Sequence, residues 1–163
     1  MFDLARFRQA QDGRPGLAEA LAELRAGAKT GHWIWYVFPQ LRGLGRSPMA
    51  VRYGLDGVAE AAAYLDDPVL AERLARAAAA VRSHVDDTPL AQLMGSRIDA
   101  LKLVSSLTLF APLARAATAR APEAPLAALA DDAEAILMAA AAQGYPRCEF
   151  TTAALDRDAR DRG

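Results

Sequence analysis

The chain has 163 residues and a mass of 17.4 kDa, which is long enough to bury the core of one domain. Its net charge of -1 and sequence pI of about 6.1 exclude the broad positive field that non-specific nucleic-acid binding requires. Apolar residues make up 53% of the chain, yet no uninterrupted apolar run approaches the roughly 20 residues of a membrane-spanning helix. We therefore expect a soluble protein with no membrane partner, and the composition leaves its oligomeric state open.

The N-terminal stretch "MFDLARFRQAQ" mixes charged and apolar residues, so it does not have the pattern of a secretory signal. The only cysteine, Cys148, cannot form an internal disulfide. Both features favour a cytoplasmic location.

Apolar residues recur at helical spacing in several segments along the chain, which predicts α-helices. The clearest series are Leu17, Leu21 and Leu24; Val58, Ala62 and Leu65; and Leu70, Leu74, Ala77 and Val81. Gly27 stands where the second helix should end, and prolines separate the later segments. The pattern predicts an all-α fold, a compact single-domain bundle of several helices with little or no β-sheet.

Two segments, 33–38 ("WIWYVF") and 103–110 ("LVSSLTLF"), are rich in residues that favour strands. They could pair as a small ribbon, but an isolated two-stranded pair is only marginally stable. Helices are therefore the preferred prediction for both. The last residues, 156–163, alternate in charge with nothing to bury, so we expect a domain over 1–155 followed by a frayed tail.

The stretch "GHWIWYVFPQLRGLGRS" at 31–47 is an aromatic segment followed by a glycine-containing loop. Large aromatic side chains usually fill a core, but Trp33 or Trp35 could instead stack on the base of a ligand. His32 is either a structural histidine or a group for proton transfer. Gln40 is a further candidate ligand-binding side chain.

The loop that follows has the composition of an anion site. Ser47 before Pro48 is a preferred N-cap and first helical residue, so a helix should start at Pro48. Its exposed N–H groups would face the loop and could bind phosphate or carboxylate. The candidate residues are Arg42, Gly43, Gly45, Arg46 and Ser47. An ordinary loop and cap is the alternative interpretation.

The segment "DALKLVSSLTLF" would place Asp99, Lys102 and Ser106 on one narrow polar stripe of a helix. Such a stripe either faces water as an ion pair or lines a pocket. We expect this helix to pack beside the aromatic segment, with its polar stripe turned toward 32–47. The candidate catalytic residues are then His32, Asp99 and Lys102, with Ser106 contributing to ligand binding.

No metal site or cofactor is expected, because His32 and His84 are far apart and Cys148 has no ligand at zinc-like spacing. The loop "RGLGRSP" lacks the lysine and the length of a Walker loop, and there is no nucleophile elbow.

Several of these segments together resemble the bacterial family known as domain of unknown function 1810, whose members are sometimes labelled calpastatin. The resemblance runs from about residue 3 to residue 111 and rests on "DLARFRQAQ", "LAELRAGAKTGHWIWYVFPQLRGLGRS", "EAAAYLDDPVLAERL" and "DALKLVSSLTLF". It implies a compact all-helical domain without a settled function. The calpastatin label has no support here, since a calpain inhibitor should be polar and disordered.

The chain is also similar in style to small helical glycosidases that act on ADP-ribose derivatives, although their catalytic glutamate aligns with no residue here. Three hypotheses follow. The first is a protein that binds a nucleotide-like or ADP-ribose-like phosphorylated small molecule, with hydrolase or glycosidase chemistry. The second is a non-catalytic interaction or homo-oligomerisation module. In the third, the aromatic motif is structural and the function lies in the C-terminal region.

Overall fold

The computed structural model of the chain describes residues 1–122 and 125–163, and within these ranges it contains ten α-helices and no β-strand. The bounds are α1 Ala5–Asp12, α2 Leu17–Ala26, α3 Ile34–Val37, α4 Pro48–Tyr53, α5 Gly57–Asp66, α6 Pro68–Arg82, α7 Leu90–Leu93, α8 Arg97–Arg120, α9 Leu126–Ala142 and α10 Glu149–Arg162. An isolated parallel bridge joins Leu41 to Leu55. The prediction of a compact all-α fold is confirmed.

The core is built around α8, which is buried continuously from Leu103 to Ala111. A helix that is apolar on every side must be surrounded by protein, and α8 packs against α5, α7, α9 and α10. By length and composition α8 could also cross a membrane, with a mean hydropathy of 1.3 over its most apolar window. However, 67% of that window is buried inside the fold, as expected for a central core helix.

The two segments with strand-like composition are helical, as preferred from the sequence. Residues 103–110 lie in the middle of α8. Residues 34–37 form the single turn of α3, which ends at Phe38 because Pro39 disfavours a helical conformation in the residue before it.

Two predicted helix ends are also found in the structure. The backbone N–H of Ala50 donates to Ser47 Oγ over 3.1 Å, and Pro48 is the first residue of α4. Gly27 ends α2 with a φ of 88°, a left-handed conformation that glycine adopts without strain.

The C-terminal residues differ from the expected frayed tail, because α10 continues through 156–162. Ala154 and Leu155 pack against the core, and the exposed end carries an i,i+4 pair between Arg162 and Asp158 at 2.8 Å. Packing of the preceding turn therefore allows the charged segment to remain helical. The division of the chain at residue 155 stays a prediction.

A buried ion pair joins Arg6 of α1 to Glu60 of α5. Glu60 is 2% exposed, and its carboxylate accepts hydrogen bonds from Arg6 Nη1 at 2.9 Å and from the backbone N–H of Asp56 at 2.7 Å. Burial alone would raise the pKa of Glu60, but the hydrogen bonds and charge of Arg6, with the Asp56 N–H, outweigh it and hold the pKa below its ordinary value. Arg6 also donates to the carbonyl of Gly54, so the pair fixes this turn on α1.

We predict that Glu60→Gln lowers the free energy of unfolding near pH 7 by about 3 kcal/mol, because it leaves the Arg6 guanidinium buried without a counter-charge. A carboxylate with a lowered pKa stabilises the folded state above the ordinary carboxyl range, and this stabilisation is lost as the pH falls through the folded-state pKa. The difference between variant and wild type should therefore shrink below about pH 4. Denaturant titrations over a pH series provide the measurement.

The matched control is Glu134→Gln, which removes the exposed pair with Arg147 and should cost less than about 1 kcal/mol. If Glu60→Gln lowers the free energy of unfolding by the same amount at every pH, the charge of the carboxylate is not what stabilises the contact between Arg6 and Glu60.

Candidate functional site

A cavity of about 330 Å³ lies between the loop that follows α2 and the start of α8. We call it the Asp99 cavity. It is lined by Lys29, Thr30, His32, Trp35, Met94, Gly95, Ser96, Ile98, Asp99 and Lys102.

The first wall of the cavity is the loop 28–33, which is held by one carboxylate on α2. Glu23 Oε1 accepts hydrogen bonds from the backbone N–H groups of Thr30 at 2.7 Å and Gly31 at 2.6 Å, and from Trp33 Nε1 at 3.1 Å. Burial would raise the pKa of Glu23, but these hydrogen bonds outweigh it and lower the pKa. The ionised carboxylate thus fixes the conformation of the loop that carries Lys29, and this loop lies against α8.

The second wall is the turn between α7 and α8, which approaches the loop closely. The Lys29 N–H donates to the carbonyl of Leu93 over 2.8 Å. Gly95 has a φ of 81°, and a Cβ there would lie 2.6 Å from the carbonyl oxygen of Lys29. Ser96 Oγ then accepts the N–H of Asp99 at 3.0 Å, which caps α8 and places Asp99 in its first turn.

Asp99 lies between two lysines. Its Oδ2 is 2.7 Å from Lys29 Nζ and its Oδ1 is 3.5 Å from Lys102 Nζ. The Lys29 side chain is only 4% exposed, and its ammonium also donates to the carbonyl of Gly31 at 2.5 Å. Lys102 is more accessible, with its Nζ 4.7 Å from the centre of the Trp35 ring. Lys29 therefore has a structural role, whereas the ammonium group of Lys102 is accessible from the cavity.

These are the only two lysines in the sequence, because the other basic residues among the 19 are arginines. Both contact Asp99. A lysine carries a compact charge on a flexible stem, whereas an arginine carries a planar guanidinium group. Sequence reasoning missed Lys29, and the rarity of lysine in an arginine-rich chain is the signal that could have found it.

Four of the residues singled out from the sequence meet in this cavity. His32 lies exposed at its rim, Trp35 is partly exposed along one wall, and Asp99 and Lys102 come from the first turns of α8. Asp99 and Lys102 of the predicted polar stripe thus lie beside the aromatic segment, whereas the third member of the stripe, Ser106, does not line the cavity. The catalytic and binding roles of these residues stay predictions.

Two of the predicted binding residues belong to the core instead. Trp33 is fully buried, its indole N–H is bonded to Glu23, and its ring lies 4.9 Å from Lys29 Nζ, so it cannot stack on a ligand without unfolding the loop. Ser106 is also fully buried, one turn beyond Lys102, where α8 has already entered the core. Neither lines the Asp99 cavity.

Gln40 lies behind the Asp99 cavity. Together with Trp35 and Lys102 it lines a much smaller space of about 10 Å³, which is also lined by Tyr53 and Gly54. Gln40 is therefore adjacent to the predicted site through two shared residues, but it does not line the larger cavity.

The glycine loop lies outside the Asp99 cavity. Arg42, Gly43 and Arg46 are exposed, Gly45 is half-buried, and Ser47 uses its hydroxyl to cap α4. That helix has only six residues, so its dipole is small. An anion site on this loop stays a prediction.

Within residues 1–122 and 125–163, no three histidine, cysteine, aspartate or glutamate side chains cluster closely enough to hold a metal ion. The charged groups of the Asp99 cavity are one carboxylate and two ammonium groups, a set that suits an anionic organic ligand better than a cation.

The sequence profile of the family described as "Protein of unknown function (DUF1810)" matches residues 1–128. The chain belongs to this family. The match confirms the resemblance noted from the motifs and includes every residue that lines the Asp99 cavity. The DUF1810 chain is also similar to the crystal structure of the conserved hypothetical protein Rv1873 from Mycobacterium tuberculosis, with 38% identity and a TM-score of 0.70. That similarity covers 93% of this chain and 95% of the other. No curated protein sequence matches the chain.

We predict that Gly95→Ala destabilises the protein more than Gly144→Ala does. Both glycines have positive φ, so an alanine costs about 1–2 kcal/mol at either position. Only at Gly95 would the new methyl also collide with the Lys29 carbonyl, which adds about 1–3 kcal/mol. Denaturant unfolding followed by tryptophan fluorescence measures both, because Trp33 and Trp35 lie on or beside the displaced loop. Equal losses in the two variants would mean that the close approach of the walls is not a constraint.

Proposed function

We propose that the Asp99 cavity binds a small phosphorylated ligand that carries a planar base, of the nucleotide or ADP-ribose type. The observation that carries this proposal is the convergence of the chain's two lysines on Asp99, beside the partly exposed ring of Trp35. Among the side chains that line the cavity, two ammonium groups face one carboxylate, and a volume of about 330 Å³ is in the range of small-molecule sites.

Each group in the cavity suits one part of such a ligand. The Lys102 ammonium, which is 3.5 Å from Asp99 Oδ1, would pair with a phosphate oxygen. The Trp35 ring would pack on the base once Lys102 moves toward the phosphate. One oxygen of the Asp99 carboxylate can accept a hydrogen bond from a hydroxyl or amino group of the ligand, while the second oxygen stays paired with Lys29.

The enzymatic form of the proposal is a hydrolase of the glycosidase class. In such a reaction a water molecule attacks the sugar carbon as the bond to the leaving group breaks, and a protein group accepts the proton of that water. His32 at the rim of the cavity is the group that we propose for this role, while Asp99 keeps its ion pairs with Lys29 and Lys102. A phosphorylated metabolite as substrate is consistent with the cytoplasmic location that we propose from the sequence.

We predict that ADP or ADP-ribose binds the wild-type chain and that Lys102→Met weakens this binding by about tenfold or more, since a hydrogen bond to a charged group contributes about 1.5–3 kcal/mol. Isothermal titration calorimetry gives the affinities, and chromatography of the same mixtures reports any hydrolysis. The matched variant is Arg42→Ala with Arg46→Ala, which removes two charges from the glycine loop outside the cavity. This double variant should bind ADP as the wild type does. If it binds more weakly while Lys102→Met binds normally, the anion site lies on the glycine loop and not in the Asp99 cavity.

A second candidate is a homo-oligomerisation module, which is favoured by two exposed apolar residues on the first turns of α8. Ile98, which lines the cavity, is 66% exposed, and Leu101 is 41% exposed three residues further along α8. If this surface joins two copies, Ile98→Ser with Leu101→Ser should convert a dimer into a monomer in sedimentation experiments. A wild-type chain that sediments as a monomer at all concentrations would remove this candidate.

A further inference from the structure

A second cavity, of about 390 Å³, lies between the end of α1, the turn before α2, and α6. It shares no lining residue with the Asp99 cavity. Its charged and polar lining residues are Gln11, Asp12, Arg14, Glu19, Arg73 and Arg76. We call it the arginine cavity.

The floor of the arginine cavity is a fixed hydrogen-bond network. Gln11 is 4% exposed, and its amide nitrogen donates to the carbonyl of Tyr36 at 2.8 Å and to the hydroxyl of Tyr64 at 3.1 Å. Because these bonds fix the orientation of the amide, its carbonyl oxygen faces Arg73 and accepts from Nη1 at 3.2 Å. The guanidinium of Arg73 is thereby held in one position at the cavity wall, which is the preorganisation that oxyanion binding requires.

The carboxylates of the cavity are unequal. Glu19 is used by the fold, because its Oε1 accepts the N–H of Gly16 at 2.8 Å at the start of α2. Asp12 is 64% exposed, and the contact that holds it is the 2.9 Å pair with Arg73 Nη2. Such a pair with an exposed partner is weak, so an incoming anion can replace Asp12 on the guanidinium.

Two further guanidinium groups surround this position. Arg14 is exposed on the turn between α1 and α2, and Arg76 lies one turn after Arg73 on α6, where its Nε is 3.5 Å from Glu72. Guanidinium groups are well suited to phosphate because their planar N–H pairs can bind two oxygens at once. Arg73 has donors left after its bonds to Gln11 and Asp12, since a guanidinium carries five N–H groups.

We propose that the arginine cavity is a second binding site, which takes the phosphate group of a small molecule. Arg73 binds the phosphate at the floor, Arg14 and Arg76 close on it from the rim, and the Asp12 carboxylate occupies the position of the phosphate when no ligand is bound. The site is independent of the ligand proposed for the Asp99 cavity, because it uses different residues and a different type of cation.

Inorganic phosphate is the probe, and its affinity is measured by isothermal titration calorimetry at low ionic strength. Arg14→Gln with Arg76→Gln should weaken phosphate binding by more than about tenfold, because both guanidinium groups that would bind the phosphate from the rim are removed. Both side chains lie at the rim, so the network at the floor stays intact. Arg115→Gln, which removes an exposed arginine paired with Asp131 elsewhere, should leave the affinity unchanged.

The variant Asp12→Asn tests whether Asp12 competes with phosphate, because a purely structural role of Asp12 would leave the phosphate affinity unchanged. If Asp12 competes with phosphate, its neutralisation should raise the affinity by about three- to fivefold, the range expected for a weak ion pair. Absence of saturable phosphate binding by the wild type, or binding that the rim variant retains, would overturn the proposal. An Asp12→Asn variant that is less stable but binds phosphate no better than the wild type would also overturn the proposal. It would show that the network only stabilises the packing of α1 against α6.

Discussion

The buried ion pair between Lys29 and Asp99 is the constraint on which the arrangement of the site depends. An ammonium group that is almost fully buried must have a counter-charge, and Asp99 supplies it at 2.7 Å. The loop that carries Lys29 must then lie against the first turn of α8, which requires the Glu23 carboxylate on one side and a glycine at position 95 on the other. The Asp99 cavity is the space left between this loop and the start of α8.

This constraint divides the charged groups of the site into two kinds. Lys29 and one oxygen of Asp99 neutralise each other inside the protein, so they hold the walls together and contribute little field outside. Lys102 is left with a longer contact to Asp99 and with the face of Trp35, which is a favourable but weak position for an ammonium group. A ligand with a phosphate group can compete for Lys102 without breaking the pair that holds the fold.

The sequence predicted the helices well because their signals are local: apolar periodicity, the Ser47 cap and the glycine at position 27 each act within a turn of helix. Burial of individual side chains was harder to predict. Trp33 and Trp35 look equivalent in the sequence, and only the position of Glu23 on α2 decides that Trp33 faces the core. The partner of Asp99 was missed for the same reason, since Lys29 is 70 residues away along the chain and meets it only through the packing of loop against helix.

The two tryptophan indole N–H groups allow a direct measurement of the central claim that the Asp99 cavity is a ligand site. Trp33 Nε1 is bonded to Glu23 in the core, whereas the ring of Trp35 lines the cavity. In a ¹H–¹⁵N correlation spectrum, with the two indole signals assigned from Trp33→Phe and Trp35→Phe variants, titration with ADP should shift the Trp35 signal saturably and leave that of Trp33 in place. A Trp35 signal that does not move while ADP binds elsewhere, or an absence of any shift, would contradict the account.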